Sequence, residues 1–130
     1  MLKNVLIVDD DQKLLKMLRR TLIYEGYDVV TATDGRGALE TIYAQHPDVV
    51  ILDWMMPELD GLDVLTALRD DENEIPVLML TAKGQSKDRD LALALGANAY
   101  LTKPFSNSEM VETLNRVAPF YASTWNQITY

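Results

Sequence analysis

Four short apolar runs, each ending abruptly in polar residues, limit what this 130-residue chain can become. Val49-Val50-Ile51-Leu52 stops at Asp53, Val5-Leu6-Ile7-Val8 at Asp9-Asp10-Asp11, Val77-Leu78-Met79-Leu80 at Thr81, and Ala99-Tyr100-Leu101-Thr102 at Lys103-Pro104. The Val49–Leu52 run, with two β-branched valines and an isoleucine, reads as a strand buried on both faces, and the other three segments repeat its apolar-then-polar pattern. The polar residue after each run then surfaces at the strand's C-terminal end. If helices connect the strands, the strands are parallel and the four polar ends converge on one rim, where open α/β sheets place their sites.

The segments between the runs carry helical periodicity. Gln12 to Glu25 sets Leu14, Leu15, Leu18 and Leu22 against Lys13, Lys16, Arg19 and Arg20 on the other face, and Gly26 supplies a stop. Tyr27 to Ala32 reads as a further strand. Asp34 caps a helix with Ala38, Leu39, Ile42 and Tyr43 inward, closed by His46-Pro47. After the turn-rich Pro57-Glu58-Leu59-Asp60-Gly61 comes a helix with Leu62, Leu65 and Leu68 inward. The Ala- and Leu-rich helix that ends at Gly96 has a poorly marked apolar stripe and is expected to be the least firmly held. Ser106 and Glu109 form a capping box for a last helix carrying Met110, Leu114, Val117 and Tyr121. Five β-α units call for a doubly wound five-stranded parallel sheet with right-handed crossovers and helices on both faces.

Length and charge narrow the partners. The chain is the size of one domain. A net charge of −8 argues against direct nucleic-acid binding or an acidic membrane surface, because phosphate contacts need clustered Lys and Arg. Without cysteine there is no disulfide framework or thiolate chemistry. No run is long enough for a signal-peptide core or a membrane span, so the expectation is a soluble cytoplasmic chain. Residues 1–118 form the expected domain. Residues 119–130 carry no charge but include Pro119, Phe120, Tyr121, Trp125 and Tyr130. That tail is a helix extension, a docking segment or a linker stub.

Asp9, Asp10 and Asp53 at neighbouring strand ends would repel and raise one another's pKa unless a cation sat among them. With no His or Cys nearby, the hard oxygens favour Mg²⁺ held by carboxylates, water and a phosphate. Lys103 adds a positive charge and Thr81 a hydroxyl, both suited to the oxygens of a transferring phosphoryl group.

This set closely resembles the receiver domain of two-component response regulators: Asp9-Asp10 after the first strand, Asp53 within L-D-W-M-M-P-x-x-D-G, Thr81-Ala82 after the fourth and Lys103-Pro104-Phe105 after the fifth. The resemblance runs in order from Met1 to about Val117. It implies the flavodoxin-like strand order 2-1-3-4-5 and a phosphorelay role. Asp53 would accept a phosphoryl group from the phosphohistidine of a histidine kinase or from a phosphotransfer protein. Asp10 would ligate Mg²⁺ directly, Asp9 largely through water, and Asp53 and the Met55 backbone carbonyl would complete the set. Thr81 and Lys103 would bind phosphoryl oxygens, and Tyr100 matches an aromatic switch position. Met55 and Lys83, each two residues past a site residue, would tune the lifetime of the phosphate. The resemblance implies a cis peptide before Pro104. It also implies a switched surface of the fourth helix, fifth strand and fifth helix, read by a downstream effector protein or fused output domain. It implies no enzyme beyond self-phosphorylation and slow dephosphorylation.

Arg89 and Glu109 match positions that pair across a dimer face in the winged-helix class of regulators. Asn98 and Ala99 stand where that class has an acidic residue and Thr113 where it has a basic one, so a phosphorylation-dependent dimer stays open. A rival enzymatic reading is an aspartate-nucleophile phosphohydrolase of haloacid dehalogenase type, from Asp9-x-Asp11 at the end of the first strand. Against it, Lys13 stands where Thr or Val is expected, no acidic pair follows Lys103, and Asp53 would be idle. Asp11 is read as a helix cap, Trp54 as a shield at the site's edge and His46 as a surface residue. Gly35-Arg36-Gly37 lacks the context of a dinucleotide loop.

Overall fold

The computed structural model describes residues 3–82 and 86–118. Lys83 and the aromatic segment 119–130, with Tyr121, lie outside them. The elements alternate along the chain: β1 (Asn4–Val8), α1 (Gln12–Tyr24), β2 (Asp28–Ala32), α2 (Gly35–Gln45), β3 (Val49–Asp53), α3 (Gly61–Asp70), β4 (Val77–Thr81), α4 (Ser86–Ala94), β5 (Ala99–Thr102) and α5 (Asn107–Val117). All strand pairings are parallel, in the order β2-β1-β3-β4-β5. Every residue of β3 and β4 is buried, as expected for central strands covered on both faces.

The side chains of alternate strand residues divide between two cores. On one face Leu6, Val8, Val50, Leu52, Val77 and Met79 pack with α2, α3 and Ala92 of α4. On the other, Val5, Ile7, Val49, Ile51, Leu78 and Leu80 pack with Leu15, Leu18 and Leu22 of α1 and Met110 and Leu114 of α5.

Local signals place the helix ends. The Asp11 carboxylate accepts from the Lys13 and Leu14 amides at the start of α1, and Asp34 accepts from Gly37 at the start of α2. Gly26, with φ +99°, turns the chain out of α1. Capping boxes join Asp60 to Asp63 in α3 and Ser106 to Glu109 in α5. The Lys103-Pro104 peptide is cis.

The inward faces differ from expectation in detail. Tyr43 is 43% exposed, and its hydroxyl donates to Asp71 at 2.7 Å, which keeps the polar end of the ring in the α2–α3 surface. Val64 is fully buried in α3, whereas Leu62 only borders the core. Tyr27 precedes β2, where its ring is buried and its hydroxyl donates to Asn115 of α5 at 2.7 Å. Trp54 belongs to the core, 5% exposed in the cluster that includes Val64 and Leu65 of α3. The weak hold on α4 is as anticipated: Ala92 is its buried residue, while Leu91 and Leu93 are 45% and 42% exposed. Among the described residues no helix is long and apolar enough to cross a membrane.

Candidate functional site

Parallel register brings the polar strand ends together. Val8 pairs with Leu52, so Asp9 follows β1 level with Asp53 at the end of β3. Thr81 pairs with Thr102, which sets Lys103 just beyond the end of β4. The strand order reverses between β1 and β3, and a doubly wound sheet leaves a crevice at that point. Asp9 and Asp53 stand in it.

Asp9 is fully buried and Asp53 is 3% exposed, so neither carboxylate is solvated in the ordinary way. One Asp9 oxygen accepts from the Asp11 amide at 2.9 Å and the other lies 2.9 Å from the Lys103 ammonium. The same Nζ stands 3.4 Å from an Asp53 oxygen. Burial and the neighbouring Asp9 charge push the Asp53 pKa up to about 6, against the opposing pull of Lys103 and a hydrogen bond from the Met55 amide. Burial alone would lower the Lys103 pKa, but its hydrogen bond to Asp9 and the two carboxylate charges outweigh this and raise it.

Asp10 is exposed beside the pair, and Asp9, Asp10 and Asp53 each offer a carboxylate oxygen within 4.8 Å of the others. Three carboxylates against one ammonium leave two net negative charges when all are ionised. A small divalent cation would balance them, and the donors are all hard oxygens. Thr81 is fully buried at the adjacent strand end. Tyr100, half-buried on β5, meets the ring of Trp54 edge-on, with centroids 6.5 Å apart and planes at 81°. Met55, two residues past Asp53, is 55% exposed.

Sequence reasoning missed two features of this site. The Met55 amide hydrogen bond to Asp53 is a backbone contact with no residue signature. Gly61, which begins α3, lies directly against the Asp53 carbonyl, a contact that only the folded loop reveals. Asn98 also has a role that its identity did not announce. Its side chain accepts from the Val77 amide at 2.9 Å and from Arg69 at 3.2 Å, tying it to the start of β4.

The haloacid dehalogenase reading finds no support. The second aspartate of its motif, Asp11, spends its carboxylate on the α1 cap, and Asp53 stands at the centre of the site.

The model of the response regulator receiver domain family matches residues 5–115. The chain is 46% identical over 108 residues to the alkaline phosphatase synthesis transcriptional regulatory protein PhoP of Bacillus subtilis, covering 83% of this chain and 45% of that protein. It is 48% identical over 108 residues to the probable transcriptional regulatory protein TcrX of Mycobacterium tuberculosis, covering 83% and 46%. The chain thus spans a little under half the length of these relatives. Among solved structures, the receiver domain of the Francisella response regulator 1452 superposes with a TM-score of 0.86 at 36% identity, over 89% of this chain and 96% of that one. With strand order, acidic rim and relatives all in agreement, this chain belongs to the response regulator receiver domain family.

Proposed function

We propose that this domain, over residues 1–118, accepts a phosphoryl group on Asp53 from the phosphohistidine of a histidine kinase or phosphotransfer protein. The observation that carries the reading is the Lys103 ammonium set between the buried Asp9 and Asp53 carboxylates, beside the exposed Asp10. An Asp53 oxygen attacks phosphorus as the phosphorus–nitrogen bond breaks, and the departing imidazole keeps the bonding pair. Because Asp53 titrates at about 6, it is mostly the nucleophilic anion at neutral pH. Asp10, Asp53 and the Met55 carbonyl would hold Mg²⁺, with Asp9 acting largely through water. Bound there, Mg²⁺ would supply charge neutralisation for the phosphoryl oxygens. The Lys103 ammonium and the Thr81 hydroxyl are the protein's own groups for those oxygens.

A phosphoryl group adds about −1.5 to −2 of charge at the rim. Thr81 turns toward it, the ring of Tyr100 follows into the vacated space, and the α4–β5–α5 surface changes for an effector or output domain. The loose hold on α4 suits an element with two states close in energy. Met55 and Lys83 tune how long the phosphoryl group survives. PhoP and TcrX are named as transcriptional regulators. In this chain a charge of −8 leaves any DNA contact to another module.

The test is incubation with Mg²⁺ and acetyl phosphate followed by intact-mass measurement. One acid-stable, base-labile phosphoryl group is expected in the wild type and none in Asp53→Asn. Label kept in Asp53→Asn but lost in Asp9→Asn, or no uptake by the wild type, overturns the reading.

A further inference from the structure

The two peptides that flank Trp54 are each held by a hydrogen bond with a neighbouring element. The Trp54 amide donates to the Leu80 carbonyl of β4 at 3.0 Å, and the Trp54 carbonyl accepts from the Gly61 amide at 2.9 Å. Gly61 itself lies so close that a Cβ there would penetrate the Asp53 carbonyl oxygen and stand 2.8 Å from Trp54 Cα. Its φ is not in the left-handed region, so glycine is required for close approach and not for backbone conformation. The Asp60–Asp63 capping box and the buried Val64, Leu65 and Leu68 fix the first turn of α3 to the core. The far side of the same loop is held by a second glycine contact, where a Cβ on Gly35 would come within 2.5 Å of the Leu59 carbonyl oxygen.

We infer that Gly61 is a positioning residue for the acceptor: the first turn of α3, pressed bare against the Asp53–Trp54 peptide, sets the direction in which the Asp53 carboxylate and the following Met55 backbone face the rim. This inference rests on Asp53 being the phosphoacceptor. Any side chain at position 61 drives the peptide back by roughly half an ångström or more, and misplacement on the order of 1 Å costs about 100-fold in a reaction that depends on alignment. Gly35 makes a comparably severe contact, with the Leu59 loop and at 3.0 Å with the Val64 side chain of α3, but not with the acceptor peptide. It therefore serves as the matched control.

The experiment compares Gly61→Ala and Gly35→Ala in the full chain, reading the urea midpoint and the rate of acetyl phosphate uptake at saturating Mg²⁺. Both variants are expected to lose stability. Uptake in Gly61→Ala should fall about 10- to 100-fold, and uptake in Gly35→Ala should stay within about 3-fold of the wild type. Hydrogen exchange on the wild type gives a second readout that needs no variant to fold: the Gly61 amide should exchange as slowly as the Trp54 amide. Wild-type uptake in Gly61→Ala, equal losses in the two variants, or a Gly61 amide exchanging at the rate of exposed loops overturns the inference while leaving Asp53 as acceptor. A wild-type chain that takes up no phosphoryl group overturns both.

Discussion

The helix after the Asp53 strand and the helix after the Thr81 strand are held in opposite ways. α3 buries Gly61, Val64, Leu65 and Leu68, closes its first turn with a capping box, and touches the Asp53 backbone directly. α4 buries Ala92 and leaves Leu91 and Leu93 largely in solvent. Its firm attachment is at the C-terminal end, where Arg69 of α3 donates to the Gly96 carbonyl from Nε at 3.1 Å and from a terminal nitrogen at 2.8 Å. One side of the rim is thus built for fixed geometry, as the proposed in-line transfer would require. The other is cheap to displace, as the proposed switching surface would require.

The contrast predicts a steep gradient of mutational cost. Leu65→Ala, at a fully buried α3 position, should cost about 2–5 kcal/mol in urea unfolding, the range for a core leucine truncation. A cost below about 1 kcal/mol would show that α3 is no better packed than α4.

Asp53→Asn should act in the opposite direction when divalent ions are removed. A carboxylate whose folded pKa is raised from 3.8 to about 6 favours the folded state fully below about pH 3.8, and that contribution is lost as pH rises through about 6. Replacing it should therefore stabilise the protein at pH 7 by roughly 2–3 kcal/mol, with the gain vanishing toward pH 4. Mg²⁺ should stabilise the wild type and close the gap. A pH-independent difference would mean that the strain at the rigid side is not electrostatic.

Arg69→Ala should cost about 1–2 kcal/mol, since it strips hydrogen bonds from Gly96, Asn73 and Asn98 together. Amide exchange should quicken over residues 91–98 and not in β3. Acceleration spread evenly through the sheet would deny α4 its separate anchorage. Leu91→Ala should change stability by no more than about 0.5 kcal/mol, because the side chain is 45% exposed. A larger loss would reveal an apolar contact that α4 makes through Leu91.

How much of this was legible in advance follows the range of each interaction. The Asp34, Asp60 and Ser106 caps and the Gly26 stop are contacts within a few residues, and each left its mark in the chain. Tyr43 was misjudged because periodicity alone could not reveal Asp71, a partner 28 positions away. The five candidate rim residues were named correctly as strand ends, but their spacing came only with the register.

The order of apolar runs, the polar residue closing each, and the helix caps were determined by the sequence alone, because burial periodicity and capping are local chemistry. Three things awaited the tertiary structure: a single lysine set between two buried aspartates, an Asp53 carboxylate with its pKa pushed up to about 6, and a bare glycine against the Asp53–Trp54 peptide. Each depends on desolvation or close approach between segments distant along the backbone. Such quantities exist only once the chain has excluded water from the space between them.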